Sequence, residues 1–210
     1  MSPPAKTTSR RRGRRQGEPV SREAVLRAAK QRFAVEGYEK TTLRAIASDA
    51  RVDPSMVLYL FGSKAELFRE SLRLIIDPKV LVAALTEGDD DIGTRMVRTY
   101  LGIWEHQDTG ASMVAMLQSA TSNPDAHDAF RAFMQSYVLT AVSDALGGGE
   151  QARLRAMLAA TNLVGTAILR YVMRVPPLAT LPADDVVKLI GPSVTRYLTA
   201  SAQELGLPAL

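Results

Sequence analysis

Apolar residues recur at helical spacing from one end of this chain to the other, and the elements they predict are helices. Val25, Ala29 and Phe33 make an i, i+4 stripe on a first helix that Ser21 can cap and Gly37 stops. Two short helices follow. One starts at Thr41/Thr42 and carries Leu43, Ile46, Ala47 and Ala50; the other opens at Asp53-Pro54, where Asp caps and Pro suits the first helical position, and ends at Gly62. A tight turn over residues 50–52 separates them. Ser63-Lys64-Ala65-Glu66 has the form of a capping box and opens a longer helix bearing Leu67, Phe68, Leu72, Ile75 and Ile76, which Asp77-Pro78 stops. Residues 18–63 therefore read as a helix-turn-helix behind one supporting helix.

Residues 64–210 read as a second, helical domain. After a short helix near Pro78 to Thr86 comes Gly88-Asp89-Asp90-Asp91, which lacks the alternating ligands and distal Glu of a calcium loop and instead supplies acidic charge to the start of the next helix. Met96, Tyr100, Trp104, Met113, Met116, Phe130, Phe133, Met134 and Tyr137 fall in stripes on the helices that follow, the last of which runs from Asn123-Pro124 to about Leu146. Such stripes build either plain core or the wall of a ligand cavity. Two long helices close the chain, Gln151 to Val175 and Pro182 to about Ala200, with Gly191-Pro192 expected to bend the second. Leu154, Leu158, Ile168, Leu169 and Val172 on one, and Val187, Ile190, Val194 and Tyr197 on the other, spread over more than one face. Pairing with the same helices of a second copy would cover the second face as a four-helix bundle.

Charge sharpens this division. Residues 1–64 hold 14 Lys and Arg against 6 Asp and Glu, while the remaining 12 basic residues face 16 acidic ones, so the net +4 hides a basic end and an acidic body. Residues 1–17 include Lys6, Arg10, Arg11, Arg12, Arg14 and Arg15 and no acidic residue, a composition expected to be disordered when free and to follow a polyanion such as a DNA groove. On the second short helix, with Val57 and Phe61 as the buried pair, Ser55, Met56 and Tyr59 point outward. Lys40, Arg44 and Lys64 surround that uncharged face as candidate phosphate contacts, and Thr41 and Thr42 stand at the start of the unit.

Ala28-Ala29, Phe33, Gly37-Tyr38, Thr41-Thr42, Ile46-Ala47, Val52, Phe61-Gly62-Ser63-Lys64 and Glu66-Leu67 occur in an order that resembles the DNA-binding domain of TetR/AcrR-type transcriptional regulators. That family usually has Tyr where this chain has Leu58 and a polar residue where it has Tyr59, so Tyr59 is the candidate to take over the contact one position later. The resemblance implies an all-α homodimer, with an N-terminal helix-turn-helix and a C-terminal domain for ligand binding and dimerisation. It further implies a repressor that a small molecule, here expected to be apolar, releases from a palindromic DNA operator.

Several activities are disfavoured. The chain has no cysteine, hence no disulfide, thiolate metal site or cysteine nucleophile. His106 and His127 lie on different elements without a Ser-Asp set, and Gly147-Gly148-Gly149 lacks the Lys-Ser/Thr of a phosphate loop, so neither an enzyme nor a cofactor is expected. No apolar run spans a membrane and no leader is evident, which suits the cytoplasm. Two alternatives stay open: a nucleoid-type protein that binds DNA without regard to sequence, and a helical small-molecule enzyme or carrier.

Overall fold

The computed structural model describes residues 22–209, which form twelve α-helices and no strand. The N-terminal unit is α1 (Arg22–Lys40), α2 (Leu43–Asp49) and α3 (Pro54–Phe61), followed by α4 (Lys64–Leu72). The expected caps are in place: Thr42 accepts from the Ala45 amide, Asp53 from Ser55 and Ser63 from Glu66. Val25, Ala29 and Phe33 pack on Ile46, Ala47, Val57, Phe61, Leu67 and Phe68, every one of them buried. Phe33, Tyr38 and Phe68 form an aromatic cluster with ring centroids 5.0 to 5.8 Å apart.

Gly37 does not end α1. It breaks the helix with φ 72°, a conformation suited to glycine, and one more turn runs on to Lys40. The break leaves the Tyr38 amide without a helical acceptor. Ser119 on α7 (Gly110–Ser122) takes that proton at 3.0 Å and passes its own to the Ala115 carbonyl. Asn123 adds a hydrogen bond to Glu39, and α4 lies along α8 (Pro124–Phe133), so the helix-turn-helix is seated on the body of the molecule.

The body is completed by α5 (Pro78–Thr86), α6 (Ile92–Glu105), α9 (Leu139–Ala145), α10 (Gly149–Ala167), α11 (Ala183–Thr199) and α12 (Ala202–Leu205). The helix expected to reach Leu146 unbroken carries a π-helical turn at Met134–Val138, and a second one, Ile168–Val172, ends α10. Gly191-Pro192 does not interrupt α11. Gly191 instead lies against Gly93 of α6, the two helices meeting so closely that a side chain on Gly93 would strike the Gly191 and Thr195 backbone. Asp91 locks the crossing. It caps α6 through the Gly93 and Thr94 amides and accepts the Thr195 hydroxyl from α11. Burial opposes its charge, but those hydrogen bonds prevail and hold its carboxyl below the usual range. The helix α12, with a complete Ser201–Glu204 capping box, was not foreseen.

Three outcomes are expected in urea denaturation. Gly93→Ala should lose about 1–3 kcal/mol or more through overpacking, whereas Gly102→Ala, whose new methyl meets no atom, should gain about 0.5–1 kcal/mol. Ser119→Ala should lose about 1–3 kcal/mol by orphaning the Tyr38 amide. Because the Asp91 pKa is depressed, its contribution is full above the ordinary aspartate range and fades as pH falls through the folded value. Asp91→Asn should therefore flatten the acid side of a melting-temperature profile.

Candidate DNA interface and effector cavity

The α2–turn–α3 unit presents most of its expected surface. Val57 and Phe61 are buried, and Tyr59 on the opposite side is 84% exposed. Met56 is partly buried, while Leu58, expected on the flank, is 48% exposed and joins the outward face. Ser55 is exposed, but its hydroxyl and amide both donate to the Asp53 carboxylate, at 2.6 and 2.8 Å, so it is held in the cap. Those bonds keep the Asp53 carboxyl below its ordinary range. Lys40, Thr42 and Arg44 are exposed around this face.

Two expected contacts are placed differently. Thr41 is fully buried, donating to the Gly37 carbonyl, because the chain needs a partner for the carbonyl freed by the helix break; it holds the unit and offers nothing to a surface ligand. Lys64 is half-buried over the Tyr38 ring, 4.3 Å from its centroid, with its ammonium on the Glu39 carbonyl. Burial lowers its pKa. Arg51 was overlooked: it stands exposed in the turn at φ 55°, a strained conformation for a non-glycine residue, and adds a fourth cation beside α3. Its basic character was visible in the sequence, its backbone geometry was not. Arg10, Arg11, Arg12, Arg14 and Arg15 lie outside the described residues.

An apolar cavity of about 100 Å³ sits in the body, between α6, α7, α8, α9 and α10. Of the residues read as core or cavity wall, Met96, Tyr100, Trp104, Met113, Phe130 and Met134 line it. Met116 and Phe133 belong to the buried core instead, and Tyr137 packs against Phe133 and carries the Arg73 guanidinium 4.7 Å above its ring. Ile76, just beyond α4, and Ala156, Ala159, Ala160 and Leu163 of α10 complete the wall. Small residues at helical spacing on α10 were the available sign of space there. The polar groups at this wall are the Tyr100 hydroxyl, whose pKa burial pushes up to about 12 against the opposing influence of Trp104, and the buried Trp104 indole N–H, which is turned to that hydroxyl without completing a hydrogen bond of good geometry.

Of the residues assigned to a subunit interface, Leu169 is exposed, and Leu154, Leu158, Ile168, Val172, Ile190 and Tyr197 are partly so. Val187 and Val194 are buried within the subunit, since the tight α6–α11 crossing already covers that side of α11. Met157, Met173 and Leu189, 48%, 63% and 63% exposed, stand outward on or beside the same two helices. Among the described residues no cluster of His, Asp and Glu could hold a metal ion, and no helix is long and apolar enough to cross a membrane.

Comparison with known proteins agrees with this arrangement. Residues 25–71 match the model for bacterial regulatory proteins of the tetR family, and residues 90–198 that for the tetracyclin repressor-like C-terminal domain. A TetR-family regulator from Streptomyces coelicolor A3 is 36% identical, with a TM-score of 0.60 over 89% of this chain and 98% of that one. The multidrug binding protein EbrR, solved with imidazole, is 20% identical with a TM-score of 0.61 over 88% and 93% of the two chains. NalD, the secondary repressor of the MexAB-OprM multidrug efflux pump in Pseudomonas aeruginosa, is 18% identical with a TM-score of 0.58 over 86% and 96%. No curated protein matches. The chain belongs to the TetR family, whose members are DNA-binding transcriptional regulators and not enzymes.

Proposed function

We propose that this regulator is a cytoplasmic repressor that, as a homodimer, binds a palindromic operator through α3 and leaves it when a small apolar molecule enters the C-terminal cavity. The observation that carries this is the join between the two parts. Met113 and Leu117 of α7 line the cavity, while Ser119 of the same helix holds the Tyr38 amide beside the helix-turn-helix. A molecule that dilates the cavity pushes on the helix that seats the DNA-binding unit.

On this reading α3 contributes selectivity and its neighbours contribute affinity. Met56, Leu58 and Tyr59 are largely apolar, and in the major groove the thymine methyl is the feature such side chains contact. Lys40, Arg44 and Arg51 take phosphates, which orient the protein without carrying sequence information. Operators selected from random duplexes should contain two half-sites about 34–36 Å apart, or a multiple of that. Replacing Ser55, Met56 and Tyr59 together by Ala should erase the preference among sequences. Lys40→Ala and Arg44→Ala should weaken binding to all duplexes alike and each reduce the salt slope by about one. A monomeric protein, or an unchanged preference in the triple variant, contradicts the proposal; equal affinity for unrelated duplexes at matched salt would favour the nucleoid-type reading.

The basic arm is the second test. Deleting residues 1–17 should lower operator affinity and make it less steeply dependent on salt, measured by fluorescence anisotropy across a salt series. Identical curves for the full and shortened chains would remove the arm from the interface.

A further inference from the structure

We infer that the C-terminal domain carries a second ligand site, for a small organic carboxylate, in the open groove on the far side of Trp104 from the apolar cavity. This site does not depend on the cavity taking an effector. The groove has a volume of about 660 Å³, inside the range of roughly 300–1,000 Å³ in which small-molecule sites fall, whereas the cavity lies well below it. Trp104 lines both, and its ring lies flat on Tyr171, which borders the groove alone, with centroids 5.3 Å apart.

The polar groups point to an anion. Among the described residues, Arg170 Nε is a buried side-chain nitrogen of this groove without a hydrogen-bond partner; the other such atom, Trp104 Nε1, is turned to the Tyr100 hydroxyl on the cavity side. Unpaired buried donors are rare and call for an acceptor. The Arg170 side chain is only 9% exposed and is held in place: Nη1 donates to the Leu178 and Leu181 carbonyls at 2.8 and 2.7 Å, and Nη2 to Glu105 at 3.2 Å. Its Nε is the donor left over. Glu105 offsets the Arg170 charge and accepts the Tyr171 hydroxyl, so the uncompensated charge at the groove is Arg174, exposed just past the π-helical turn and without an ion-pair partner among the described residues. Val114, Pro176 and the Trp104–Tyr171 stack supply apolar contact for the rest of the ligand. A carboxylate provides two acceptor oxygens and the charge Arg174 lacks; a neutral amide provides one acceptor and no charge.

Trp104 is the single tryptophan of the chain and borders both the groove and the cavity, so its fluorescence reports on binding at either, and cavity-filling variants tell the two apart. Phenylacetate titrated to millimolar concentration into the full-length protein should change that emission saturably. Uncharged phenylacetamide should bind about tenfold more weakly or worse, and Arg174→Gln should weaken phenylacetate by a similar factor. Two variants that fill the apolar cavity, Ala160→Leu and the milder Ala160→Val, should leave phenylacetate binding intact. Absence of a saturable change, equal binding of the amide, or loss of binding in a folded cavity-filled variant with no effect of Arg174→Gln would each overturn the site. In those same variants, failure of operator release by apolar compounds would bear on the cavity alone, which keeps the two readings separable.

Discussion

The structure turns on one broken helix. At Gly37 the backbone of α1 leaves the helical region, and two backbone groups that a continuous helix would have satisfied find partners elsewhere, with one side-chain bond beside them. The Gly37 carbonyl takes the Thr41 hydroxyl, the Tyr38 amide takes Ser119, and the side chain of Glu39 takes Asn123. The first of these bonds starts the helix-turn-helix at a fixed angle to α1. The other two reach the C-terminal body. Buried backbone groups left unpaired are expensive, so one break in α1 both aims α3 and fastens it to the helices around the cavity.

That economy constrains how a ligand can act. A cavity of about 100 Å³ cannot hold a drug-sized molecule as it stands, so an effector of that size must bind a wider state better than this one. The walls differ in how readily they yield. The α6–α11 crossing is backbone against backbone at Gly93 and Gly191 and is pinned by Asp91, so it is the stiff side. On the other side stand Met113, Met134 and the π-helical turn at Met134–Val138, where flexible side chains and a looser backbone pattern lower the resistance to displacement. The compliant side is also the side joined to α1 through Ser119 and to the end of α4 through Tyr137 and Arg73.

Much of this was legible in the residues themselves because it is local. Thr42, Asp53, Ser63, Asp77, Asp91 and Asn123 each mark the helix start that the structure shows, since a cap depends on a few adjacent positions. Thr41 is the instructive failure. It looks like its neighbour Thr42, yet the broken helix buries one and exposes the other, and spacing alone carries no record of a carbonyl in need of a donor. The same limit applies to Met116, Phe133 and Tyr137, which share a helix stripe with cavity residues but face other helices. It applies also to Val187 and Val194, where a glycine-to-glycine crossing brings α6 close enough to bury what periodicity would leave for a partner subunit.

Charge and shape divide the labour at the DNA-binding end. The Ser55 hydroxyl is engaged by Asp53, and Lys64 is folded over Tyr38, so the polar groups nearest the exposed face of α3 are already committed inside the protein. What remains outward on α3 is chiefly Met56 and Leu58, which gain little from phosphates or from the hydrogen-bonding edges of G·C pairs, and Tyr59, whose ring is apolar and whose hydroxyl is its one hydrogen-bonding group. Under the proposed reading, counter-ion release at Lys40, Arg44 and Arg51 acts on every duplex equally. Under that reading, discrimination comes from fitting this largely apolar surface against the bases and from how far two copies of α3 are held apart. The second of these is the quantity that, in the proposed mechanism, the joint at Gly37 and Ser119 sets.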